Sequence, residues 1–154
     1  MGQGSKFDSA LSTRGGRSNF VTSEDIVSKD PFAKDILDGM TQEGIKFSKE
    51  KIVFAAKLEN GKHLFLENDR VNHIMDRHGE EFKKNFGVNN QQELSSLLSD
   101  TISKGKLISS FRKDSHGKEG YRSIYYYKGK YTIVYSIASN GYIETAFTDN
   151  YYGG

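Results

Sequence analysis

The stretch that decides the fold is YRSIYYYKGKYTIVYSIASNGYIETAFT, residues 121–148. It contains three runs rich in Tyr, Ile, Val, Phe and Thr, the residue types that favour β-strands. Lys128-Gly129 and Asn140-Gly141 separate the runs, and glycine-containing pairs of this kind are typical of tight turns between antiparallel strands. A further strand-like run, LISSFR, begins at Leu107. We therefore predict a small antiparallel sheet whose last three strands form a meander.

Helical patterns precede this sheet. The segment NNQQELSSLLSDTISKG, residues 89–105, carries apolar residues at helical spacing and ends in glycine. An earlier helix begins near Asn68 or Asp69, either of which can cap it, and it either continues past Gly79 or gives way there to a new turn. The pattern predicts an α+β fold with N-terminal helices packed on a small twisted antiparallel sheet.

The first part of the chain gives weaker patterns. Residues 1 to about 22 are rich in Gly and Ser, which is typical of a flexible lead-in. SEDIVSKDPFAKDILDGM, residues 23–40, is predicted to be helical, with Asp30 as an N-cap and Pro31 in the first turn. Residues 51–67 are predicted to form two short strands joined at Asn60-Gly61. We place residues 1–45 in a linker or entry segment and residues 46–154 in the functional domain.

Composition excludes several classes of protein. The chain has 154 residues, enough for one domain with an extra arm, and it has no cysteine. Disulfides, thiolate metal sites and cysteine nucleophiles are therefore excluded. No apolar run approaches the roughly 20 residues that a membrane-spanning helix needs. We expect no membrane span in this chain.

Positive charge is concentrated in one part of the sequence. The net charge is only +2. Residues 104–130, however, contain eight basic side chains and two acidic ones, Asp114 and Glu119. A local positive field on a nearly neutral protein fits a face that binds a polyanion, although solvated charges on a lysine-rich loop would give the same count.

The segment RVNHIMDRHG, residues 70–79, carries the densest titratable chemistry. At about 100° per residue, Arg70, His73 and Arg77 share one flank of the predicted helix, and His78 lies on the adjoining apolar face. The spacing of the histidines and the absence of a suitably placed carboxylate disfavour a zinc site, so we expect no metal and no cofactor. Each histidine could also be merely structural or exposed.

Histidine and arginine together suit the metal-free cleavage of RNA. In that reaction the 2′-OH attacks the neighbouring phosphorus and leaves a 2′,3′-cyclic phosphate. Histidine can move both protons at neutral pH, and arginine matches the phosphate oxygens. On the predicted last strand, alternation places Thr145 with Phe147, so that a hydroxyl could bind phosphate while a ring stacks on a base. Tyrosines interleaved with basic residues indicate a platform for single-stranded RNA.

Residues 68 to about 150 resemble the small nuclease toxins that share the barnase, EndoU, colicin and RelE-like (BECR) fold. The match is nearest to the colicin D-like toxins, which occur with the toxins of contact-dependent inhibition and other polymorphic systems. It rests on RHGEEFKKNFGV, then QELSSLLSDTIS, then SSFRK and a final NGYIETAF. In that pattern a histidine preceded by lysine is catalytic, and His78 would match it with Arg77 standing where the pattern has lysine. In another register His73 with Arg70 takes this role.

The resemblance implies a ribonuclease toxin acting on transfer RNA. It implies catalytic roles for His78, His73, Thr145 and Arg112. The substrate-binding residues would be Arg70, Arg77, Lys113, Lys118, Arg122, Tyr126 and Phe147. In this sequence threonine and phenylalanine stand where the colicin D pattern has serine and tryptophan.

The resemblance also implies a biological setting. A cognate immunity protein would cover the basic cleft with acidic residues. The chain would be the C-terminal part of a larger secreted toxin, delivered into the cytoplasm of a competing cell.

Two alternatives remain open. An EndoU-like ribonuclease would use a second histidine, for which only His116 is available, beyond an intervening helix. A nucleic-acid-binding module without catalysis would use the same charges and aromatic rings. Such a module would tolerate loss of His78 and suffer from loss of Lys113 or Arg122.

Overall fold

The computed structural model describes residues 19–114 and 117–149. Most of the predicted lead-in and His116 lie outside these residues. In chain order the helices and strands are β1 (Phe20–Thr22), α1 (Ser23–Val27), α2 (Pro31–Gln42), β2 (Ile52–Lys57), β3 (His63–Glu67), α3 (Asn68–Phe86), α4 (Gln91–Lys104), β4 (Lys106–Arg112), β5 (Gly120–Tyr127), β6 (Lys130–Ile137) and β7 (Ile143–Asp149). The α+β class predicted from the sequence is confirmed, with two antiparallel sheets.

The chain divides into two compact units, residues 1–65 and 66–154. In the first unit, β1 pairs with β2 and β2 with β3. The end of the predicted lead-in is therefore a strand, because Phe20 is buried and stacks on Phe54 with ring centroids 5.1 Å apart. Helices α1 and α2 contact β1 and β2.

The helical segment 23–40 is two helices rather than one. Lys29 has a positive φ of 62°, which a continuous helix cannot accommodate. Asp30 then caps α2 by accepting a hydrogen bond from the Phe32 amide, and Pro31 occupies the first turn, as predicted. The predicted turn at Asn60-Gly61 does join β2 to β3.

In the second unit, α3 runs through Gly79 without a break and ends at Phe86. Gly87 closes it in the left-handed conformation, with φ of 73°. The N-cap is Glu67, not Asn68 or Asp69, because the chain enters the helix directly from the extended end of β3. The buried residues Val71, Ile74 and Phe82 lie on one face of α3.

Helix α4 and the four-strand sheet complete the second unit. Asn90 caps α4 through the Glu93 amide. The sheet has the order β4-β5-β6-β7, all antiparallel, as the sequence predicts. Lys128 and Gly129 both have positive φ, 53° and 80°, which is the backbone of a tight hairpin turn.

Helix α3 lies against β7, the edge strand of this sheet. Near the helix C-terminus, the Asn85 side-chain amide donates to Thr148 Oγ1 at 2.6 Å. Near the N-terminus, the Arg70 guanidinium donates to the Glu144 carbonyl. These two attachments hold one flank of α3 beside the sheet, and the space between them contains the candidate site.

Among the described residues, no helix has the combination of length and apolar character needed to cross a bilayer.

Candidate active-site cleft

A cleft of about 390 Å³ lies between α3 and the open face of the four-strand sheet. Its walls come entirely from the second unit. The lining residues are Arg70, His73, Arg77 and His78 from α3, Lys113 after β4, Arg122 from β5, Ile133 and Tyr135 from β6, and Glu144, Thr145 and Phe147 from β7.

The helix wall brings both histidines and two arginines into this one cleft. Arg70, His73 and Arg77 follow helical spacing, and His78 adjoins them. Partial burial lowers the pKa of His73 below its usual 6.5, and the positive charges of Arg70 and Arg77 lower it further. His73 is therefore mostly neutral at pH 7, in the form that can accept a proton.

The sheet wall is set by strand register. Arg122 on β5 lies opposite Tyr135 on β6, and Tyr135 lies opposite Thr145 on β7. Directly paired residues project on the same face of a sheet, so these three side chains form a row across it. The adjacent pair on that face is Ile133 with Phe147. Thr145 and Phe147 thus share the cleft, as alternation along β7 predicts.

His78 has a carboxylate at one ring nitrogen. Its Nδ1 lies 2.8 Å from Oε1 of Glu81, one turn further along α3. The two side chains are close enough for an ion pair on one face of α3. Within the described part of the chain, no group hydrogen-bonds to Nε2.

Phe147 lies between the helix and the basic side of the sheet. Its ring centroid is 5.5 Å from that of His78, with the planes tilted by 33°. On the sheet side, the Arg122 guanidinium carbon lies 5.3 Å from the same centroid, in range of a cation–π interaction. An aromatic ring beside a guanidinium is an arrangement found where proteins stack on nucleic-acid bases.

Arg70 has a structural contact as well as a place in the cleft. Its Nε and Nη2 donate to the Glu144 carbonyl oxygen at 2.9 and 2.7 Å. The Glu144 carboxylate in turn lies 3.4 Å from Lys118 Nζ. The cleft therefore has four cationic side chains and one carboxylate, and that carboxylate is paired with a lysine outside the lining.

Eight of the side chains predicted from the sequence line the cleft. They are His73, His78, Thr145, Arg70, Arg77, Lys113, Arg122 and Phe147. Lys118 touches the cleft only through its ion pair with Glu144.

Arg112 and Tyr126 are not brought to the cleft. Arg112 lies opposite Tyr121, on the other face of the sheet from Arg122, and its guanidinium pairs with Asp114 and Glu119. Tyr126 is 41% exposed and packs on Tyr131, two residue pairs along the sheet from Ile133.

Four cleft or cleft-adjacent residues were missed, namely Glu81, Ile133, Tyr135 and Glu144. Glu81 follows His78 by three positions, a spacing that places the two side chains on one helix face and could have shown the pair. Tyr135 is two residues beyond Ile133 on β6, so the alternation of that strand would have placed both on one face. Glu144 lines the cleft next to a shift in strand register between Tyr135 and Ser136. No local sequence pattern predicts such a shift.

A second depression, of about 430 Å³, lies on the other side of α3 and shares Arg77 and His78 with the cleft. Glu81 also lines it. Within residues 19–114 and 117–149, no group of three or more His, Cys, Asp or Glu side chains is arranged to hold a metal ion.

No family model, no curated protein and no solved structure matches this chain.

Proposed function

We propose that the second unit is a ribonuclease that cleaves RNA by attack of a ribose 2′-OH on the adjoining phosphorus. The observation that carries the proposal is the position of His73 and His78 in one cleft with four cationic side chains and the Phe147 ring. General bases and acids, charge stabilisation and a stacking surface are the components that this reaction requires.

His73 is assigned as the base and His78 as the acid. His73 takes the proton of the 2′-OH, because its lowered pKa keeps it unprotonated near neutral pH. The 2′-oxygen then bonds to phosphorus and the bond from phosphorus to the 5′-oxygen breaks. His78 gives a proton to the departing 5′-oxygen, with the Glu81 carboxylate beside its other ring nitrogen. The products are a 2′,3′-cyclic phosphate and a free 5′-hydroxyl.

The cationic side chains stabilise the charge that accumulates on the phosphate oxygens. Arg77, Lys113 and Arg122 line the cleft and are positioned for this role. Arg70 uses two of its nitrogens to hold β7, so its main contribution is to keep the helix wall against the sheet wall. Phe147 stacks on the base next to the scissile bond.

The substrate and setting follow from the resemblance noted in the sequence. We propose transfer RNA as the substrate and a BECR-type fold, most similar to the colicin D-like toxins, for the second unit. We also propose an immunity partner whose acidic side chains enter the positive cleft. The unit would act in the cytoplasm of a target cell after delivery by a larger secreted protein.

A binding module without catalysis is the second candidate. The stacking of Arg122 on Phe147 favours it, because an aromatic ring beside a cation binds single-stranded RNA without any need for histidine. In that case the loss of either histidine would leave RNA affinity unchanged and no cleavage would be seen.

The test is cleavage of purified transfer RNA in EDTA by the unmodified protein, His73→Ala and His78→Ala. Asn72→Ala is the matched control, because Asn72 is exposed on the same helix and lines neither depression. We expect discrete fragments from the unmodified protein and the control, and a loss of about 100-fold or more in each histidine variant. RNA that is bound but left intact by the unmodified protein would favour the binding module.

A further inference from the structure

Two residues that line the cleft carry buried hydroxyl groups without a hydrogen-bond partner among the described residues. The hydroxyls are Tyr135 OH and Thr145 Oγ1. The residues are directly paired across β6 and β7, so their side chains are neighbours on one face. Tyr135 is only 8% exposed. A buried polar atom without a partner is destabilising, so such hydroxyls in residues that line a cleft are candidates for binding a ligand.

The cleft distinguishes these two hydroxyls from other buried ones. Thr101 and Thr132 also have buried hydroxyl oxygens without a partner. Neither lines the cleft, and Thr132 lies on the opposite face of β6, paired with Tyr125 and Thr148. Only at Tyr135 and Thr145 do these hydroxyls lie in a cavity together with Arg122 and Lys113.

We propose that Tyr135, Thr145, Arg122 and Lys113 form a phosphate-binding subsite on the sheet wall of the cleft. The hydroxyls donate hydrogen bonds to phosphate oxygens, and the two cations balance the phosphate charge. One further assignment rests on the proposed ribonuclease function. In that reaction the subsite holds a phosphate of the RNA against the histidines of α3.

The position of the Tyr135 hydroxyl is fixed by a glycine. A Cβ atom built on Gly120 would overlap the Tyr135 hydroxyl and ring edge. The tyrosine ring therefore lies over the bare backbone of the neighbouring strand, a close approach that only glycine permits. The hydroxyl is held in place by packing rather than by a hydrogen bond, and its donor capacity is left to a ligand.

The surroundings of Tyr135 keep its hydroxyl protonated, so that it can donate a hydrogen bond. Burial raises the pKa of Tyr135 above its usual 10.0, and the nearby Glu144 carboxylate raises it further. The hydroxyl therefore keeps its proton at any pH near neutrality. The carboxylates of Glu144 and Asp114, which both act on Tyr135, would repel an anion, but Lys118 pairs with the first and Arg112 with the second.

The test is a titration of the full chain with inorganic phosphate, followed by NMR chemical shifts of the β5, β6 and β7 amides. The variants Tyr135→Phe and Thr145→Val remove one hydroxyl each and keep the shape of the side chain. Tyr125→Phe and Thr132→Val are the controls, because they make the same chemical changes on the opposite face of the same sheet.

We expect shift changes at the cleft strands, and phosphate affinity about tenfold lower in Tyr135→Phe and in Thr145→Val. The controls should bind phosphate as the unmodified protein does. Unchanged affinity in both cleft variants, or no phosphate binding by the unmodified protein, would overturn the subsite. A titration with sodium chloride at equal ionic strength separates specific binding from general charge attraction.

The same proteins separate the subsite from the proposed reaction. If RNA is cleaved and the cleft variants raise KM with kcat little changed, the subsite binds substrate as proposed. If phosphate binds at the subsite but RNA stays intact, the ribonuclease proposal fails and the subsite stands. If RNA is cleaved and both variants match the controls in phosphate affinity and KM, the subsite fails and the ribonuclease proposal stands.

Discussion

His78 Nδ1 and Glu81 Oε1 lie 2.8 Å apart on successive turns of α3. The pair couples the residue that best matches the catalytic histidine of the resemblance to a carboxylate on its own helix. The two side chains are 30% and 37% exposed, so solvent screens the pair and its contribution is modest.

Glu81→Gln should therefore reduce kcat by roughly two- to fivefold, the range expected for a partly exposed ion pair. KM and the melting temperature should change little, because the glutamine keeps the packing. Single-turnover cleavage assays would measure the effect. Glu80→Gln, at the exposed neighbouring position, is the control, and a loss of activity equal in both variants would show that Glu81 has no specific role.

The lowered pKa of His73 predicts the pH dependence of both activity and stability. The folded protein binds the His73 proton less tightly than the unfolded chain does, so the fold is favoured above pH 6.5 and loses this contribution as the pH falls below that value. The acid limb of kcat/KM should likewise have its midpoint below pH 6.5. NMR titration of the His73 ring would measure the pKa directly.

Arg77→Gln should move that acid limb upward, because one of the two arginine charges that lower the pKa of His73 is removed. The rate maximum will also fall, so the midpoint and not the height is the informative quantity. Lys84→Gln, an exposed change on the same helix that lies outside the cleft, should leave the midpoint in place. An acid limb unmoved by Arg77→Gln would remove His73 from the role of base.

Arg70 and Arg112 should differ in what their loss does to stability. Arg70→Gln removes two hydrogen bonds to the Glu144 carbonyl and should lower the free energy of unfolding by about 1–3 kcal/mol. Arg112→Gln breaks exposed ion pairs and a distant contact with the Tyr121 ring, and should cost less than about 1 kcal/mol. Urea denaturation would measure both. Arg112→Gln should also keep full activity, and a strong loss would restore the catalytic role first expected for it.

Replacing Gly79 and Gly120 with alanine should change the free energy of unfolding in opposite directions. Gly79→Ala places a methyl group 3.4 Å from the flexible Met75 side chain inside α3, and should raise the free energy of unfolding by about 0.5–1 kcal/mol. Gly120→Ala forces the Tyr135 ring to move and should lower it by about 1–3 kcal/mol. Thermal unfolding of the two variants would show the contrast, and a tolerated Gly120→Ala would mean that the ring is not fixed.

Much of the second unit could be predicted from local sequence. The two turns at Lys128-Gly129 and Asn140-Gly141 and the apolar spacing of α4 are short-range signals, and the structure confirms them. The start of α2 at Asp30 and Pro31 was predicted, but the separate short helix α1 was not, because the positive φ that follows it at Lys29 is a conformation that lysine rarely adopts. The N-cap of α3 was misplaced because the strand leads straight into the helix.

The cleft was predictable only in part. Thr145 and Phe147 followed from alternation within one strand, and the arginines and histidines of α3 followed from helix spacing. Arg112 was expected in the site from the resemblance, but strand register places it on the face of the sheet opposite Arg122, and register is set by pairing between distant residues. Tyr135 was missed although alternation along β6 would have placed it on the face of Ile133; only its contact with Gly120 depends on pairing with the neighbouring strand.

The central claim is that this cleft cleaves RNA through the substrate's own 2′-OH, and end-group analysis tests it most directly. Transfer RNA would be incubated with the full chain in EDTA, and the fragment ends determined by mass spectrometry. We predict 2′,3′-cyclic phosphate and 5′-hydroxyl ends, and no cleavage when the 2′-OH at the cut position is replaced by hydrogen. Cleavage of the 2′-deoxy substrate, or the absence of any cleavage by the unmodified protein, would contradict the account.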